Sequence, residues 1–383
     1  MKIAMIGHKR IPSREGGVEI VVEELSKRLV QMGHSVTAYN RMGKHVSDKN
    51  ADKEKHKLKE YMGIRIVHVP TPSNKSLNAI VYSFLATIMA VFGNYDVIHF
   101  HAEGPCLMLI IPHLLGIRTV ATIHGLDWQR SKWGGFATKI LKLGEKTAAK
   151  YADEVIVLSL NVQQYFLDTY GRKTIYIPNG VTDTEFREPE VITEKFGLEK
   201  DKYILFLGRI VPEKGITYLL EAFSRVDTDM KLVIAGGKSH TDDYANEVKR
   251  LAKQDSRVVL TGFVQGNLFS ELYSNAYLYT LPSDVEGMPI SLLEAMSFGK
   301  RCLVSDIPEN VEACGDYAMY FQKSNVDDLE KKLADAITKP DLFHTEYEIM
   351  NYCHNRFNWN QVTSASVRLY IDAILNVERI EKI

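Results

Sequence analysis

Twelve short runs rich in β-branched and aromatic residues recur along this 383-residue chain, with helical spacing between them. In the first half they are residues 2–7 (KIAMIG), 35–40 (SVTAYN), 64–69 (IRIVHV), 96–101 (DVIHFH), 119–124 (TVATIH), 154–159 (EVIVLS) and 174–179 (TIYIPN). In the second they are 203–208 (YILFLG), 231–236 (KLVIAG), 257–262 (RVVLTG), 276–281 (AYLYTL) and 301–306 (RCLVSD). Between them Val21, Val22, Leu25, Leu29 and Met32 share one helical face, as do Leu219, Leu220 and Phe223. Strands apolar on both sides that alternate with helices require parallel sheets, built from right-handed βαβ units. Two such series in succession predict an α/β chain of two doubly wound, Rossmann-like domains. The join is expected near Pro178–Asn179–Gly180, where Asn-Gly punctuates the chain, giving domains of 1–180 and 181–359. The last segment, 360–383, has amphipathic helical spacing (Val362, Val367, Tyr370, Ile371, Ile374, Leu375) and by that spacing fits either domain.

Length agrees, since 383 residues exceed one compact core and suit two. The balance of 45% apolar and 25% charged residues is that of a globular protein. Cys106, Cys302, Cys314 and Cys353 are scattered with no CxxC pairing, and read as reduced, buried thiols of a cytoplasmic protein. The start, MKIAMIG, runs straight into an apolar strand and reads as no signal peptide. The longest apolar stretch, Leu77 to Phe92, is broken by Asn78, Tyr82, Ser83 and Thr87. It falls short of the roughly 20 apolar residues of a spanning helix and predicts a buried one.

Net charge is −1, but residues 1–185 hold 24 basic against 17 acidic residues, so that half is near +7 and the remainder near −8. A basic half suits peripheral contact with an anionic membrane at the inner face of the cell membrane, or an anionic acceptor. Equally, part of the excess lies in the Lys49–Glu60 stretch, which reads as a solvated face. Near-neutral overall charge and the lack of a reader motif exclude nucleic acid as a partner.

Ligands of open parallel sheets bind beyond the carboxyl ends of the strands, and the informative residues cluster there. After the first strand, Gly16–Gly17 precedes an amphipathic helix; glycines let backbone N–H groups approach an anion, and a helix N-terminus favours phosphate. The GxGxxG dinucleotide fingerprint is absent. In the second half GRIVPEKG places Arg209 and Lys214 just beyond a strand, where a forked guanidinium and a movable ammonium can neutralise a diphosphate without metal. Taken singly, either cation is more simply a surface charge. The strongest signal is SDVEGMPISLLEAMSFGK, with Glu286 before a helix, Pro289 suited to its first turn and Glu294 about 2.2 helical turns on. Carboxylates accept paired hydrogen bonds from vicinal hydroxyls, so these two can hold two diols. TVATIHGLDWQ ends a strand at His124 with Asp127 just beyond; such a His can bind a sugar hydroxyl or be structural. There is no HExxH, no full GxxxxGK[ST] and no GxSxG.

Together GGVE, HGLD, PNGV, GRIVPEKG and the Glu286–Glu294 pair resemble the GT-B glycosyltransferases, more closely the retaining family 4 of bacterial polysaccharide and capsule type. The resemblance covers nearly the whole chain. It implies two facing domains with an inter-domain cleft, an acceptor-binding N-terminal domain onto which the last helix packs back, and a nucleotide-sugar-binding C-terminal one. It implies that Gly16 and Gly17 set backbone N–H groups near the acceptor and the donor diphosphate, which Arg209 and Lys214 hold. Glu286 would bind sugar hydroxyls, Glu294 the ribose, and the amides of Gly287 and Met288 the sugar or phosphate. His124 would face the donor sugar, and Asp127 with its neighbours the acceptor, one on a lipid-diphosphate carrier. No metal or cofactor is implied beyond the substrate nucleotide sugar, a UDP-sugar first. Where many relatives read EGFG this chain reads EGMP, and Pro289 removes one amide donor.

The implied activity is a metal-independent, retaining hexosyl transfer to a glycan or lipid-linked acceptor. Two alternatives stand beside it. A sugar-nucleotide epimerase of the same fold would turn over donor without acceptor, and a catalytically dead relative would bind sugar nucleotide without transfer.

Overall fold

The computed structural model describes residues 1–42, 58–72, 74–130, 134–237 and 242–380. Most of the Lys49–Glu60 stretch, and residues 131–133 in the run after Asp127, lie outside them. The chain forms two compact units: the first runs to Asn179 and resumes at Trp359, and the second is Gly180–Asn358.

The first unit is built on β1 (Lys2–Ile6), β2 (Ser35–Arg41), β3 (Glu60–Tyr61), β4 (Ile64–Val69), β5 (Val97–His101), β6 (Thr119–Ile123), β7 (Glu154–Val157) and β8 (Ile175–Tyr176). Their order is β3-β4-β2-β1-β5-β6-β7-β8. All pairs are parallel except β3 with β4, a two-residue antiparallel edge that the apolar pattern does not announce. The order reverses between β1 and β5, so the loops leaving those two strands lie side by side. They meet closely: a Cβ on Gly7 would stand 2.0 Å from the carbonyl oxygen of His101, and Gly7 holds a φ of 122°. Both constraints demand glycine.

Right-handed crossovers fix where the helices go. The β1-to-β2 connection, α1 (Gly17–Gln31), runs one way along the sheet. The connections α2 (Lys75–Val91), α3 (Glu103–Cys106) with α4 (Ile110–Leu114), α5 (Gly135–Tyr151) and α6 (Leu160–Tyr170) run the other way and cover the opposite face. One core joins them there, through Tyr82, Ala86, Cys106, Leu109, Ala148 and Phe166. In α1, Val21, Val22, Leu25 and Leu29 are buried, whereas Met32, expected on that face, caps the helix and is exposed.

Residues 77–92 are not buried all round, as the sequence suggested. Tyr82, Ala86 and Ala90 pack inward, but Leu77, Ile80, Phe84 and Phe92 are exposed. An apolar run with the right period buries only the side that meets the sheet. Among the described residues no helix is long and apolar enough to cross a membrane.

The second unit has β9 (Tyr203–Leu207), β10 (Lys231–Ala235), β11 (Val258–Gly262), β12 (Leu278–Leu281), β13 (Arg301–Ser305) and β14 (Met319–Phe321), all parallel, in the order β11-β10-β9-β12-β13-β14. Here the reversal falls between β9 and β12, which makes neighbours of the loops carrying GRIVPEKG and DVEGMP. The helix after β9 is α7 (Ile216–Arg225), with Leu219, Leu220 and Phe223 buried as its spacing predicts. The helix after β12 is α8 (Ile290–Ser297).

The last helix, α9 (Trp359–Ile380), joins the first unit on the α1 side. The Arg28 guanidinium lies 5.8 Å from the Trp359 ring, and Arg28 Nε donates to Asn360 Oδ1 at 3.3 Å. Its buried face is Val362, Thr363, Ser366, Leu369, Tyr370 and Ala373, whereas Ile371 and Leu375, read above as part of that face, are exposed. Small and hydroxylated residues form the contact, with Thr363 and Ser366 donating back to the carbonyls of Trp359 and Val362. The apolar spacing thus locates Val362 and Tyr370 on the buried face but errs at Ile371 and Leu375. All four cysteines are buried and unbridged.

Candidate functional site

In the second unit the two neighbouring loops are pinned together by backbone. Pro212–Lys214 form a single 3-10 turn closed by Gly215, which has a φ of 62°. A Cβ on Gly215 would stand 2.1 Å from the Pro282 carbonyl oxygen. Asp284 N–H donates to Glu213 O at 2.9 Å. This seam carries Lys214 to Glu286: Lys214 Nζ donates to Glu286 Oε1 at 2.5 Å, and Ser283 Oγ donates to the same oxygen at 2.6 Å. The two side chains are 11% and 9% exposed. The family resemblance implies separate tasks for these residues, one on phosphate and one on a sugar; the structure brings them together as an ion pair.

Arg209 follows Gly208 where β9 ends, half-buried. The loop is held by Gly208 N–H to Ala235 O at 2.9 Å, and a Cβ on Gly236 would stand 1.8 Å from Gly208 O. Gly287 and Met288 are buried in the loop before α8. Pro289 is the residue before the first turn of α8, not inside it, with a φ of −75° and ψ of 100°. Glu286 therefore sits in the loop ahead of the helix, and helical arithmetic between Glu286 and Glu294 does not apply. Glu294 is half-buried on α8, with the fully buried Tyr273 hydroxyl 3.5 Å from Oε2. Tyr273 and Tyr279 also fix Ser291, one turn earlier, donating at 2.9 Å to its carbonyl and its hydroxyl. An Asp-Thr-Asp string at 227–229, a spacing known from metal motifs, lies in the turn entering β10, at the opposite end of this sheet.

In the first unit Gly16 caps α1 in extended conformation and Gly17 opens it. First-turn amides of a helix lack intrahelical acceptors, which suits an anion. His124 is buried at the end of β6, and its Nε2 lies 3.1 Å from His101 Nδ1. His101 stacks on His99 with ring centroids 4.1 Å apart. His99 in turn contacts Tyr370 OH and Thr122 Oγ1, each at 2.7 Å. Burial above all, then the neighbouring imidazoles, holds His99 down at about 3 and His101 well below the usual histidine range. Both are neutral imidazoles that pass hydrogen bonds, not charge. A cavity of about 20 Å³, lined among others by His99, His101 and Ser366, has room for one water.

Asp127 opens a 3-10 turn, half-buried, and its N–H donates to Glu103 Oε1 at 3.0 Å. Glu103 is fully buried beside Glu145, also fully buried. Tyr165 and Tyr170 donate to Glu145 Oε2 at 3.0 and 2.9 Å. Burial, then the Asp127 and Glu145 charges, pushes the Glu103 carboxyl far above the carboxylate range, so it is a neutral acid joining the Asp127 turn to Glu145. The approach needs Gly144, where a Cβ would stand 2.1 Å from Glu103 O.

Sequence reasoning missed His99, His101, Tyr370, Glu103, Glu145 and Ser283. One signal was available: histidines two apart in β5 share a face of that strand. Glu103 and Glu145 sit among apolar residues but on separate helices, and nothing local links them.

Residues 15–185 match the family described as Glycosyltransferase Family 4, and residues 189–351 match Glycosyl transferases group 1. The chain belongs to the GT-B glycosyltransferases of the family 4 type. Among curated relatives, this glycosyltransferase is 24% identical to the alpha-maltose-1-phosphate synthase of Mycolicibacterium smegmatis, over 97% of the chain and 99% of that protein. It is 28% identical to the UDP-Gal:alpha-D-GlcNAc-diphosphoundecaprenol alpha-1,3-galactosyltransferase of Escherichia coli, over 56% of the chain and 59% of that protein. Its fold is similar to that of the sucrose-phosphate synthase from Thermosynechococcus elongatus, with a TM-score of 0.81, 19% identity, and 98% and 99% of the two chains covered.

Proposed function

We propose that this glycosyltransferase moves a hexose, with retention, from a nucleoside-diphosphate sugar to a glycan or lipid-diphosphate-linked acceptor in cell-surface polysaccharide synthesis. A UDP-sugar is the donor to expect. The observation that carries the reading is the Lys214–Glu286 pair, held with Ser283 at the point where the second sheet reverses its strand order. A cation and a carboxylate set side by side match a sugar diphosphate, which offers phosphate oxygens to one and vicinal hydroxyls to the other.

In this reading Arg209 and Lys214 stabilise the charge that grows on the departing nucleoside diphosphate, without a metal ion. Glu286 and the Gly287 and Met288 amides orient the sugar, and Glu294 holds the ribose. No protein nucleophile takes part. A phosphate oxygen of the leaving diphosphate takes the proton of the acceptor hydroxyl as the new bond forms on the face the leaving group vacates. In the first unit the Gly16–Gly17 amides serve the diphosphate, His124 the sugar and the Asp127 turn the acceptor. The Escherichia coli relative, whose name specifies a UDP-galactose donor and a diphosphoundecaprenol-linked acceptor, supports this choice of substrates. The work is placed in the cytoplasm, peripherally at the inner face of the membrane.

The test is a thermal-shift series with UDP-, GDP-, dTDP- and ADP-sugars without added metal, followed by NMR of the anomeric proton in the product. A shift from one nucleotide series and an unchanged anomeric configuration are expected. Inversion would overturn the mechanism, and conversion of the donor to an epimer without acceptor would overturn the transfer reaction.

A further inference from the structure

We propose that the outward side of α2, α4 and α5 is a docking face for the surface of an anionic lipid bilayer. This deepens the peripheral membrane contact proposed above and assigns it to named residues. The three helices cover the same face of the first sheet, so the sides they turn away from it face the same way.

On α2 the outward stripe is Leu77, Ile80 and Phe84, at spacings of three and four, and Phe92 follows the helix 84% exposed. From Ser76 to Tyr95 the sequence has no charged residue at all, so nothing polar beyond neutral side chains offsets that stripe. On α4 and just after it, Ile110, Leu114 and Leu115 are exposed, Leu114 by 75%. On α5 the outward stripe is Phe136, Lys139, Leu143, Lys146 and Lys150, with Phe136 77% exposed. Single exposed apolar residues need no explanation, but a surface shared by three neighbouring helices does.

Charge selects the occupant. The only acidic residue of α5 is Glu145, and it is buried, so the exposed stripe is purely cationic and apolar. Lysines with flexible stems place ammonium groups at headgroup height while Phe and Leu beside them enter the acyl boundary. Lys142 already lies over the Trp128 ring, 4.0 Å from its centroid, the amphipathic pairing suited to an interface. A second copy of the same face is a poor partner, because two lysine stripes would meet with no carboxylate between them.

The test is co-sedimentation of the full chain with vesicles of phosphatidylcholine alone and with about 30% phosphatidylglycerol. Two surface variants are compared: Phe84→Ser/Leu114→Ser/Phe136→Ser and Lys139→Gln/Lys146→Gln. Expected are binding to the anionic vesicles, weakening as salt is raised, a loss of at least tenfold in the apolar variant, and a loss of several-fold in the lysine variant. Neither should change the thermal shift given by the donor nucleotide, which keeps this proposal separable from the donor-site reading. Wild-type protein that ignores anionic vesicles, or variants that bind them as well as wild type, would overturn it. So would a concentration-dependent dimer that the apolar variant abolishes without any vesicle binding, since a second copy would then cover the face.

Discussion

Lys214 Nζ and Glu286 Oε1 lie 2.5 Å apart at the junction of two loops that are 72 residues apart in sequence. Each charge is largely withdrawn from water, so each depends on the other and on Ser283. Removing one member leaves the other under-compensated, and both are assigned to the same substrate.

Lys214→Ala and Glu286→Ala are each expected to lower turnover by about 10²–10³-fold, the scale of losing one group that stabilises transition-state charge. Each should also lower the thermal midpoint by a few degrees, and the double variant should be no less stable than either single one. Steady-state rates and melting curves check this together. Wild-type turnover in both single variants would remove the pair from the mechanism.

Glu294→Ala should act on binding. The side chain is anchored on α8 beside Tyr273 and is assigned to the ribose. A saturating donor nucleotide raises the midpoint of wild type according to its affinity. That rise should vanish in the variant while the unliganded midpoint moves by less than about 3 °C, the scale of one lost hydrogen bond.

Glu103 predicts a pH signature. Its folded-state pKa is raised above the ordinary carboxyl value of 4.5, so its contribution to stability is full below that value and is lost as pH rises through the folded one. Glu103→Gln keeps an oxygen for the Asp127 N–H and offers an amide to Glu145, with no proton to lose. The variant should match wild type near pH 5 and exceed it by several degrees near pH 8. Equal midpoints at both pH values would mean Glu103 is not held as the neutral acid.

The buried histidines act in the opposite sense. His8, buried just after β1, is pushed down to about 4 and His99 to about 3, both chiefly by burial, against the ordinary imidazole value of 6.5. Their contribution is full above 6.5 and is lost as pH falls from there toward 3, because the unfolded chain takes up those protons first. Urea midpoints should decline below pH 6.5. Tyr370→Phe, which removes a partner of His99, should lower stability by about 1–3 kcal/mol at pH 7.

Gly215→Ala should destabilise the second unit by at least about 2 kcal/mol, since φ is 62° and the Pro282 carbonyl stands where the methyl would go. Gly171→Ala, with φ also 62° but open space around it, should do less harm. A denaturant series separates steric exclusion from backbone strain.

The sequence by itself determined the fold class, because strands apolar on both sides alternating with helices leave only parallel sheets, and the crossover hand then settles which helices share a face. It also determined where the candidate residues stand, since Arg209, Lys214, Glu286, His124 and Asp127 all follow strand ends. Local spacing could not say who meets whom. Lys214 with Glu286, His101 with His124, and Glu103 with Glu145 and Asp127 are contacts between strand ends, loops or helices made adjacent by strand order, several of them closed by glycines whose need shows only when the opposing carbonyl is in place. The same holds for α9, whose contact with the first unit is made through Thr363, Ser366 and Tyr370. Tertiary structure decided those pairings, because close packing and buried hydrogen bonds are properties of two surfaces at once, and a period along one chain describes only one of them.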